Sequence, residues 1–111
     1  MYKQGDILLI SVPFTDLTSS KKRPVLVVSN DEFNYKSEDI IVAAITSNVN
    51  DNPYSVLIDS IDLDEGVLLK TSCVKIDKLY TLAQSIVLRK FGRLKSEKSR
   101  QVSSQIVNLI S

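Results

Sequence analysis

Histidine is absent from this chain of 111 residues, and cysteine occurs only once. Without an imidazole, Ser-His and Cys-His catalysis are excluded, as are zinc sites that use histidine as a ligand. The single cysteine, Cys73, cannot form a disulfide within the chain. We expect Cys73 to be a small core side chain rather than a nucleophile.

Long apolar runs are also missing. No stretch approaches the roughly 18 residues that a membrane-spanning helix needs. The N-terminus lacks a basic region followed by a long apolar core, so we expect no signal peptide, no membrane association and a cytoplasmic location. No repeat, low-complexity tract or linker divides the chain. Residues 1–111 are therefore predicted to form a single domain.

The net charge of +1 hides an uneven distribution of charged residues. Residues 1–69 contain 5 Lys/Arg and 11 Asp/Glu, whereas residues 70–111 contain 9 Lys/Arg and 2 Asp/Glu. Such polarity is typical of a protein that binds an anionic polymer or an acidic partner.

Short apolar runs bounded by turn residues predict a mainly β protein. The expected strands are Ile7–Val12, Pro24–Ser29, Asp39–Ile45, Tyr54–Ile58 and Val67–Val74, the last continuous or broken near Lys70. Asn30–Asn34 and Asp59–Gly66 are expected to form turns. Asp77–Leu82 fits either a short strand or a helical turn, and Ser85–Leu88 begins a strand that Arg89–Leu94 can extend.

Apolar residues at helical spacing predict a C-terminal amphipathic helix over residues 97–110, with Ser96 as its N-cap. These apolar residues are Val102, Ile106, Leu109 and Ile110. Many short strands with one terminal helix indicate a small, strongly bent β-barrel or a half-open sheet.

Three consecutive cations precede a proline and an apolar run: Lys21, Lys22 and Arg23, then Pro24 and Val25–Val28. Proline has no N–H to donate, so we expect it at the first position of a strand that is buried on both faces. Arg23 would then lie at the end of a rigid element, with the two lysines on a looser approach. A guanidinium held in this way suits a phosphate, because its planar fork binds two oxygens. A solvated charge run is the alternative interpretation.

Several segments carry a family pattern in a fixed order. They are Gly5–Leu9 with Pro13–Asp16, Lys22–Ser29, Ile41–Thr46, Ser72–Leu79 and the Gly92–Leu94 link to the last helix. Together they resemble the MazF/PemK (Kid-like) toxins of bacterial toxin–antitoxin systems. The resemblance covers nearly the whole chain.

The resemblance implies an SH3-like barrel or half-open sheet of the CcdB/MazF type that forms a homodimer. It implies a sequence-selective endoribonuclease that cleaves single-stranded RNA without a metal or other cofactor, in much of the family leaving a 2′,3′-cyclic phosphate and a 5′-hydroxyl. A cognate antitoxin would cover the RNA site with an acidic tail. By position, Arg23 matches the family's catalytic arginine and Thr46 its catalytic threonine.

The chemistry of these two residues agrees with that role. Attack of a 2′-hydroxyl on the neighbouring phosphate builds negative charge that Arg23 can bind. Thr46 can donate a hydrogen bond that aligns the attack, or its hydroxyl can cap its own backbone. The general base and acid stay unassigned, with Asp16 the nearest carboxylate in the preceding loop. The neighbouring residues that we expect to contact RNA are Phe14, Thr15, Lys21, Lys22, Ser47 and Asn48. For Phe14, anchoring the base of its loop in the core is an equally weighted alternative.

Two other functions compete with the nuclease. A CcdB-type gyrase poison would share the barrel and act by binding, through its C-terminal helix. A non-catalytic SH3-like module would bind nucleic acid or protein, with strong salt dependence for RNA and no cleavage.

Overall fold

Antiparallel strands joined into one sheet make up most of the computed structural model, which describes residues 1–13, 20–50 and 52–111. The strands are β1 (Asp6–Pro13), β2 (Ser20–Val27), β3 (Asp39–Thr46), β4 (Ser55–Ile58), β5 (Leu63–Glu65), β6 (Ser72–Ala83) and β7 (Val87–Leu94). The helices are α1 (Asp31–Lys36) and α2 (Ser96–Ile110). Short 3-10 turns at Ser60–Asp62 and Gln84–Ile86 precede β5 and β7. The strand order is β4-β6-β3-β2-β1-β7-β5.

Both edge strands of the sheet pack into the same hydrophobic core. Val56 and Ile58 of β4 lie in one cluster with Leu63 of β5 and Val102 of α2. The sheet must curl around this cluster to bring its two edges together. The result is a half-open barrel with a C-terminal helix, which confirms the predicted fold class.

A second, smaller cluster lies on the other face of the central strands. Ile7 and Leu26 belong to the first cluster, whereas Leu8, Val25 and Val27 belong to the second. Because successive side chains of a strand point to opposite faces, β1 and β2 are buried on both faces. This confirms the double burial that the apolar run of the second strand predicts.

The second strand begins earlier than the sequence predicts. β2 pairs with β1 from Ser20 to Leu26, so Lys21 and Lys22 lie inside the strand and not on a looser approach, and Arg23 lies within the strand and not at its end. Pro24 is consequently an internal residue, and its predicted place at the start of the strand is wrong. The ladder with β3 ends at Val25. Proline is tolerated where pairing ends, since no amide hydrogen is required there.

The predicted strand Val67–Val74 is correct only in its last part, because β6 begins at Ser72. The hydroxyl of Ser60 accepts a hydrogen bond from the Leu68 N–H (2.8 Å) and donates to the Leu68 carbonyl (3.0 Å). A side chain thus satisfies backbone groups that a strand would have used. β6 continues to Ala83 and settles the ambiguity over its second half in favour of a strand.

Two short elements lie where the sequence predicts turns. Helix α1 begins after Asn30, whose Oδ1 accepts a hydrogen bond from the Phe33 N–H (2.8 Å). Strand β5 lies within the predicted turn that ends at Gly66, which has φ +84. β7 begins at Val87, after the second 3-10 turn, and includes the predicted extension to Leu94.

Helix α2 begins one residue before the prediction. Its N-cap is Lys95, whose N–H donates to the Asp62 carbonyl (2.8 Å), so Ser96 is the first helical residue and not the cap. Val102 is buried as predicted, but Ile110 is 75% exposed because the packed face ends before the last turn. In the described ranges, no helix has the length and apolar character needed to cross a membrane.

Candidate active site

Arg23 and Thr46 lie on the same face of the neighbouring strands β2 and β3. The last pair of the ladder between these strands is Val25 with Ala44, and Arg23 and Thr46 each lie two positions beyond it. Because paired residues share a face and side chains alternate along a strand, Arg23 and Thr46 share the face of that pair. Thr46 is the last residue of β3, one residue beyond the predicted strand, whereas Arg23 lies within β2, where it pairs with Ile10 of β1.

A cavity of about 450 Å³ contains both residues in its wall, and we call it the Arg23 cavity. The described residues that line it are Ile10, Arg23, Pro24, Val25, Ala44, Ile45, Thr46, Tyr80 and Leu82. The sheet thus brings the predicted guanidinium and hydroxyl to one concave surface with largely apolar walls.

The guanidinium of Arg23 is exposed, and none of the ion pairs within the described residues engages it. Two of the other arginines have partners: Arg93 binds the buried carboxylate of Asp6, and Arg89 lies 5.7 Å from the centre of the Phe91 ring. The cation in the cavity wall is therefore placed to bind an anion from solution.

The hydroxyl of Thr46 does cap its own backbone. Its Oγ1 accepts a hydrogen bond from the Asn48 N–H at 3.1 Å. A hydroxyl has one proton to donate and two lone pairs, so this bond leaves its proton able to reach a ligand oxygen. Capping also fixes the side chain at the cavity wall, which makes the two interpretations of Thr46 compatible.

None of the predicted RNA contacts that the structure describes lines the cavity itself. Lys21 shares the face of Arg23, two residues away on β2, and Lys22 points to the other face. Both lysines are exposed. Ser47 and Asn48 are exposed just beyond β3 and are not among the residues that line the cavity.

Three of the residues named for the site fall outside the part of the chain that the structure describes: Phe14, Thr15 and Asp16. Among the described residues, no group of three acidic or cysteine side chains could hold a metal ion. Cys73 is 1% exposed, which confirms its expected burial.

Sequence reasoning missed Tyr80 and Leu82, which line the cavity from β6. Their spacing places them on one face of a strand. Their position beside Thr46 depends on how β6 pairs with β3, and no residue pattern in the sequence marks that register.

A second group of charges joins β1, β5 and β7 and does not line the cavity. Lys90 Nζ lies 2.8 Å from Glu65 Oε2 and 3.4 Å from Asp6 Oδ1. The hydrogen bond and positive charge of Lys90 lower the pKa of Glu65, and the same hydrogen bond raises the pKa of Lys90. These contacts hold strands together.

The sequence model of the PemK-like, MazF-like toxins of type II toxin–antitoxin systems matches residues 3–110. The chain belongs to this family. The match runs from before β1 to the last turn of α2 and so includes every strand that borders the Arg23 cavity. It confirms the resemblance that the sequence motifs carry.

Individual MazF proteins are similar over most of their length. "Endoribonuclease MazF" of Staphylococcus saprophyticus is 28% identical over 107 residues, which span 96% of this chain and 88% of the relative. A mycobacterial endoribonuclease solved with its cognate antitoxin has a TM-score of 0.81 at 16% identity, covering 99% of this chain and 95% of that one. A MazE–MazF structure (Form-II) from Deinococcus radiodurans also gives 0.81, at 17% identity, with coverages of 98% and 95%.

The two structural likenesses establish the MazF-type fold of this chain. They confirm the predicted half-open sheet of the CcdB/MazF type and extend over nearly all of the described elements.

Proposed function

We propose that this chain is a sequence-selective endoribonuclease that cuts single-stranded RNA without a metal ion, with Arg23 and Thr46 as its catalytic residues. The observation that carries the proposal is their convergence on one cavity wall from adjacent strands. Membership of a toxin family and the similarity to a relative named endoribonuclease MazF support it.

The proposed reaction is an internal transfer. The 2′-oxygen attacks the adjacent phosphorus, the bond from phosphorus to the 5′-oxygen breaks, and the products are a 2′,3′-cyclic phosphate and a 5′-hydroxyl. The 2′-hydroxyl gives up a proton and the leaving 5′-oxygen gains one. No water is consumed in this step.

Arg23 would bind the phosphorane oxygens, where negative charge increases during the attack. A positioned donor to such an oxygen contributes roughly 100- to 1,000-fold in rate. Arg23 suits this role because it is exposed at the cavity and is not engaged in an ion pair with another described residue.

Thr46 would donate its hydroxyl proton to a non-bridging phosphate oxygen. Its Oγ1 is already oriented by the Asn48 N–H. Little reorganisation is then needed when the phosphate arrives, which is how positioned groups accelerate a reaction.

The test is incubation of the purified protein with a long unstructured RNA in EDTA, followed by analysis of the new ends. We expect cyclic phosphate and 5′-hydroxyl ends. Arg23→Ala should cut about 100-fold more slowly than the wild type, or more slowly still. Arg100→Ala, which removes an exposed arginine from α2, is the matched control and should cut normally. Intact RNA with the wild type would refute the nuclease proposal, and equal rates of cutting by wild type and Arg23→Ala would refute the catalytic role of Arg23.

The same assay separates the competing functions. DNA breaks that require gyrase and persist in Arg23→Ala would point to a gyrase poison. Salt-dependent RNA binding without new RNA ends would point to a binding module.

We propose an antitoxin as the protein partner, with an acidic segment that covers the Arg23 cavity. Two solved relatives are described as complexes with an antitoxin or with MazE. The exposed cations Lys21, Lys22 and Arg23 suit an acidic chain. A polyglutamate peptide should then displace labelled RNA at low salt, and should do so less well from Arg23→Ala. Displacement that is unchanged in Arg23→Ala would contradict this site.

We also propose that the chain is a cytoplasmic homodimer. Ile61, Val67 and Leu69 are 77%, 69% and 100% exposed, and the hydroxyl of Ser60 holds their segments together. Exposed apolar groups of this kind are typical of surfaces that another chain covers. Light scattering at micromolar concentration should give twice the mass of one chain, and the mass of a monomer would contradict the proposal.

A further inference from the structure

We propose that the Arg23 cavity is a nucleobase pocket in which Tyr80 is the stacking surface. This inference rests on the proposed function, because it takes single-stranded RNA as the ligand. It adds a recognition element that lies beside the reacting phosphate and that the catalytic pair does not require.

The chemistry of the cavity wall matches a nucleotide. Beyond Arg23, Thr46 and Tyr80, the side chains that line it are apolar, among them Ile10, Val25 and Leu82. A nucleotide has an anionic phosphate next to a flat base with apolar faces. The cation and hydroxyl suit the phosphate, and the remaining apolar wall suits the base. The volume of about 450 Å³ is within the range of roughly 300–1,000 Å³ that small-molecule sites occupy.

Tyr80 has the exposure that a stacking surface needs. Its side chain is 51% exposed while it lines the cavity, so one part of the ring is available to a ligand. Its hydroxyl makes no hydrogen bond to another group within the described ranges. Aromatic side chains that stack on unpaired bases are the usual means by which proteins hold single-stranded RNA.

A bulge in β6 is what brings Tyr80 to this face. Ala44 pairs with Lys75, but the next residue, Ala43, pairs with Leu79, so three residues of β6 have no opposite partner in β3. Tyr80 consequently lies opposite Val42. Without the bulge, the register from Lys75 would place Asp77 there, and a carboxylate at that position would repel a phosphate at Arg23. The irregular strand therefore replaces an acid by an aromatic ring.

The competing use of this face is contact with a second copy of this chain, since Leu82 and the ring of Tyr80 are apolar. The adjacent exposed guanidinium favours a nucleotide, because a protein contact that buried Arg23 would need an acid to pair with it. Lys21, two residues from Arg23 on the same face of β2, adds a further exposed positive charge.

The experiment is a cycle of protein and RNA changes. Sites cut by the wild type are first mapped on a long RNA. A short RNA containing one such site is then made uncleavable with a 2′-deoxy residue at the cut, and each neighbouring nucleotide is replaced in turn by an abasic one. Binding is measured by fluorescence anisotropy for the wild type, Tyr80→Ala and Tyr80→Phe. Tyr35→Ala, which removes a tyrosine of α1 that is 76% exposed and does not line the cavity, is the matched control.

We expect Tyr80→Ala to weaken binding about fivefold or more, and Tyr80→Phe to bind as the wild type does. At one RNA position, the abasic substitution should weaken binding by the wild type and leave binding by Tyr80→Ala unchanged. The missing base and the missing ring remove the same contact, so the second change adds nothing to the first. Tyr35→Ala should respond to every abasic position as the wild type does.

Several results would overturn the pocket while leaving the nuclease intact. They are normal binding by Tyr80→Ala, abasic effects that are the same in all variants, and cutting by Tyr80→Phe that slows as much as cutting by Tyr80→Ala. A change from dimer to monomer in Tyr80→Ala would assign the face to a protein contact instead. If the wild type cuts no RNA at all, both the proposed function and the pocket fail.

Discussion

At the scale of single residues, the site depends on side chains that keep part of their hydrogen-bonding or ion-pairing capacity for a ligand. Thr46 accepts a hydrogen bond from its own strand end, and its proton stays available. Arg23 lies at the cavity without an ion-pair partner in the described chain, whereas Arg93 and Lys90 bind the buried Asp6. The sequence identifies Arg23 and Thr46 by their residue types and motif positions. It cannot tell which cations are paired, because pairing depends on strands that are distant in the chain.

The Lys90–Glu65 pair gives a prediction for pH. The lowered pKa of Glu65 contributes stability that is present above its unfolded value, 4.5, and is lost as the pH falls through the folded value. The raised pKa of Lys90 contributes stability that is present below its unfolded value, 10.5, and is lost as the pH rises through the folded value. The free energies of unfolding of wild type and Glu65→Gln, measured in urea, should therefore differ most between pH 4.5 and pH 10.5.

Glu65 and Lys90 are both at the surface. The difference in the free energy of unfolding between wild type and Glu65→Gln should therefore be small and should shrink in high salt. Glu32→Gln, which removes the exposed carboxylate paired with Lys36 in α1, is a control for the loss of a surface charge alone. A difference between wild type and Glu65→Gln that grows below pH 4 would contradict the assignment.

At the scale of elements, apolar runs predict the central strands well because double burial demands continuous apolar sequence. The errors arise where the pairing of two strands, or a hydrogen bond from one side chain, determines where a strand begins. β2 begins at Ser20 because β1 holds it there, and residues 67–71 are irregular because Ser60 binds Leu68. The bulge that places Tyr80 beside the site has no counterpart in sequence periodicity. The presence of Arg23 and Thr46 at one cavity could thus be predicted, and the contribution of Tyr80 and Leu82 from β6 could not.

Gly66 follows β5 directly and lies against Phe91 and Gly92 of β7, which gives a prediction at this scale. It has φ +84, and an added Cβ would lie 2.3 Å from the Phe91 carbonyl oxygen. Gly66→Ala should therefore lower the free energy of unfolding by more than the roughly 1–3 kcal/mol that a strained backbone alone costs. Chemical denaturation measures the loss.

Gly5→Ala separates the cost of a positive φ from the cost of steric overlap by the added Cβ. Gly5 has a similar φ of +95, but the nearest atom to its added Cβ would be Ser99 Oγ, at 3.4 Å. We expect a smaller loss for Gly5→Ala than for Gly66→Ala. Equal losses would mean that the close approach of Phe91 to Gly66 contributes nothing.

At the scale of the whole molecule, curling the sheet creates the site. The first cluster fills the interior against α2, and the second supports the face that carries Arg23, Thr46 and Tyr80. Family membership covers residues 3–110, the same span over which this sheet and helix form. The proposed chemistry therefore belongs to the arrangement of β2, β3 and β6 and not to any one motif.

The most direct test of this account is a double-mutant cycle on the single-turnover rate of RNA cutting in EDTA. The four proteins are wild type, Arg23→Ala, Thr46→Ala and the double variant. If both side chains act on one phosphate, the double variant should lose much less rate than the product of the two single losses. Losses that multiply as for independent sites, or cutting by the double variant at the wild-type rate, would contradict a shared site.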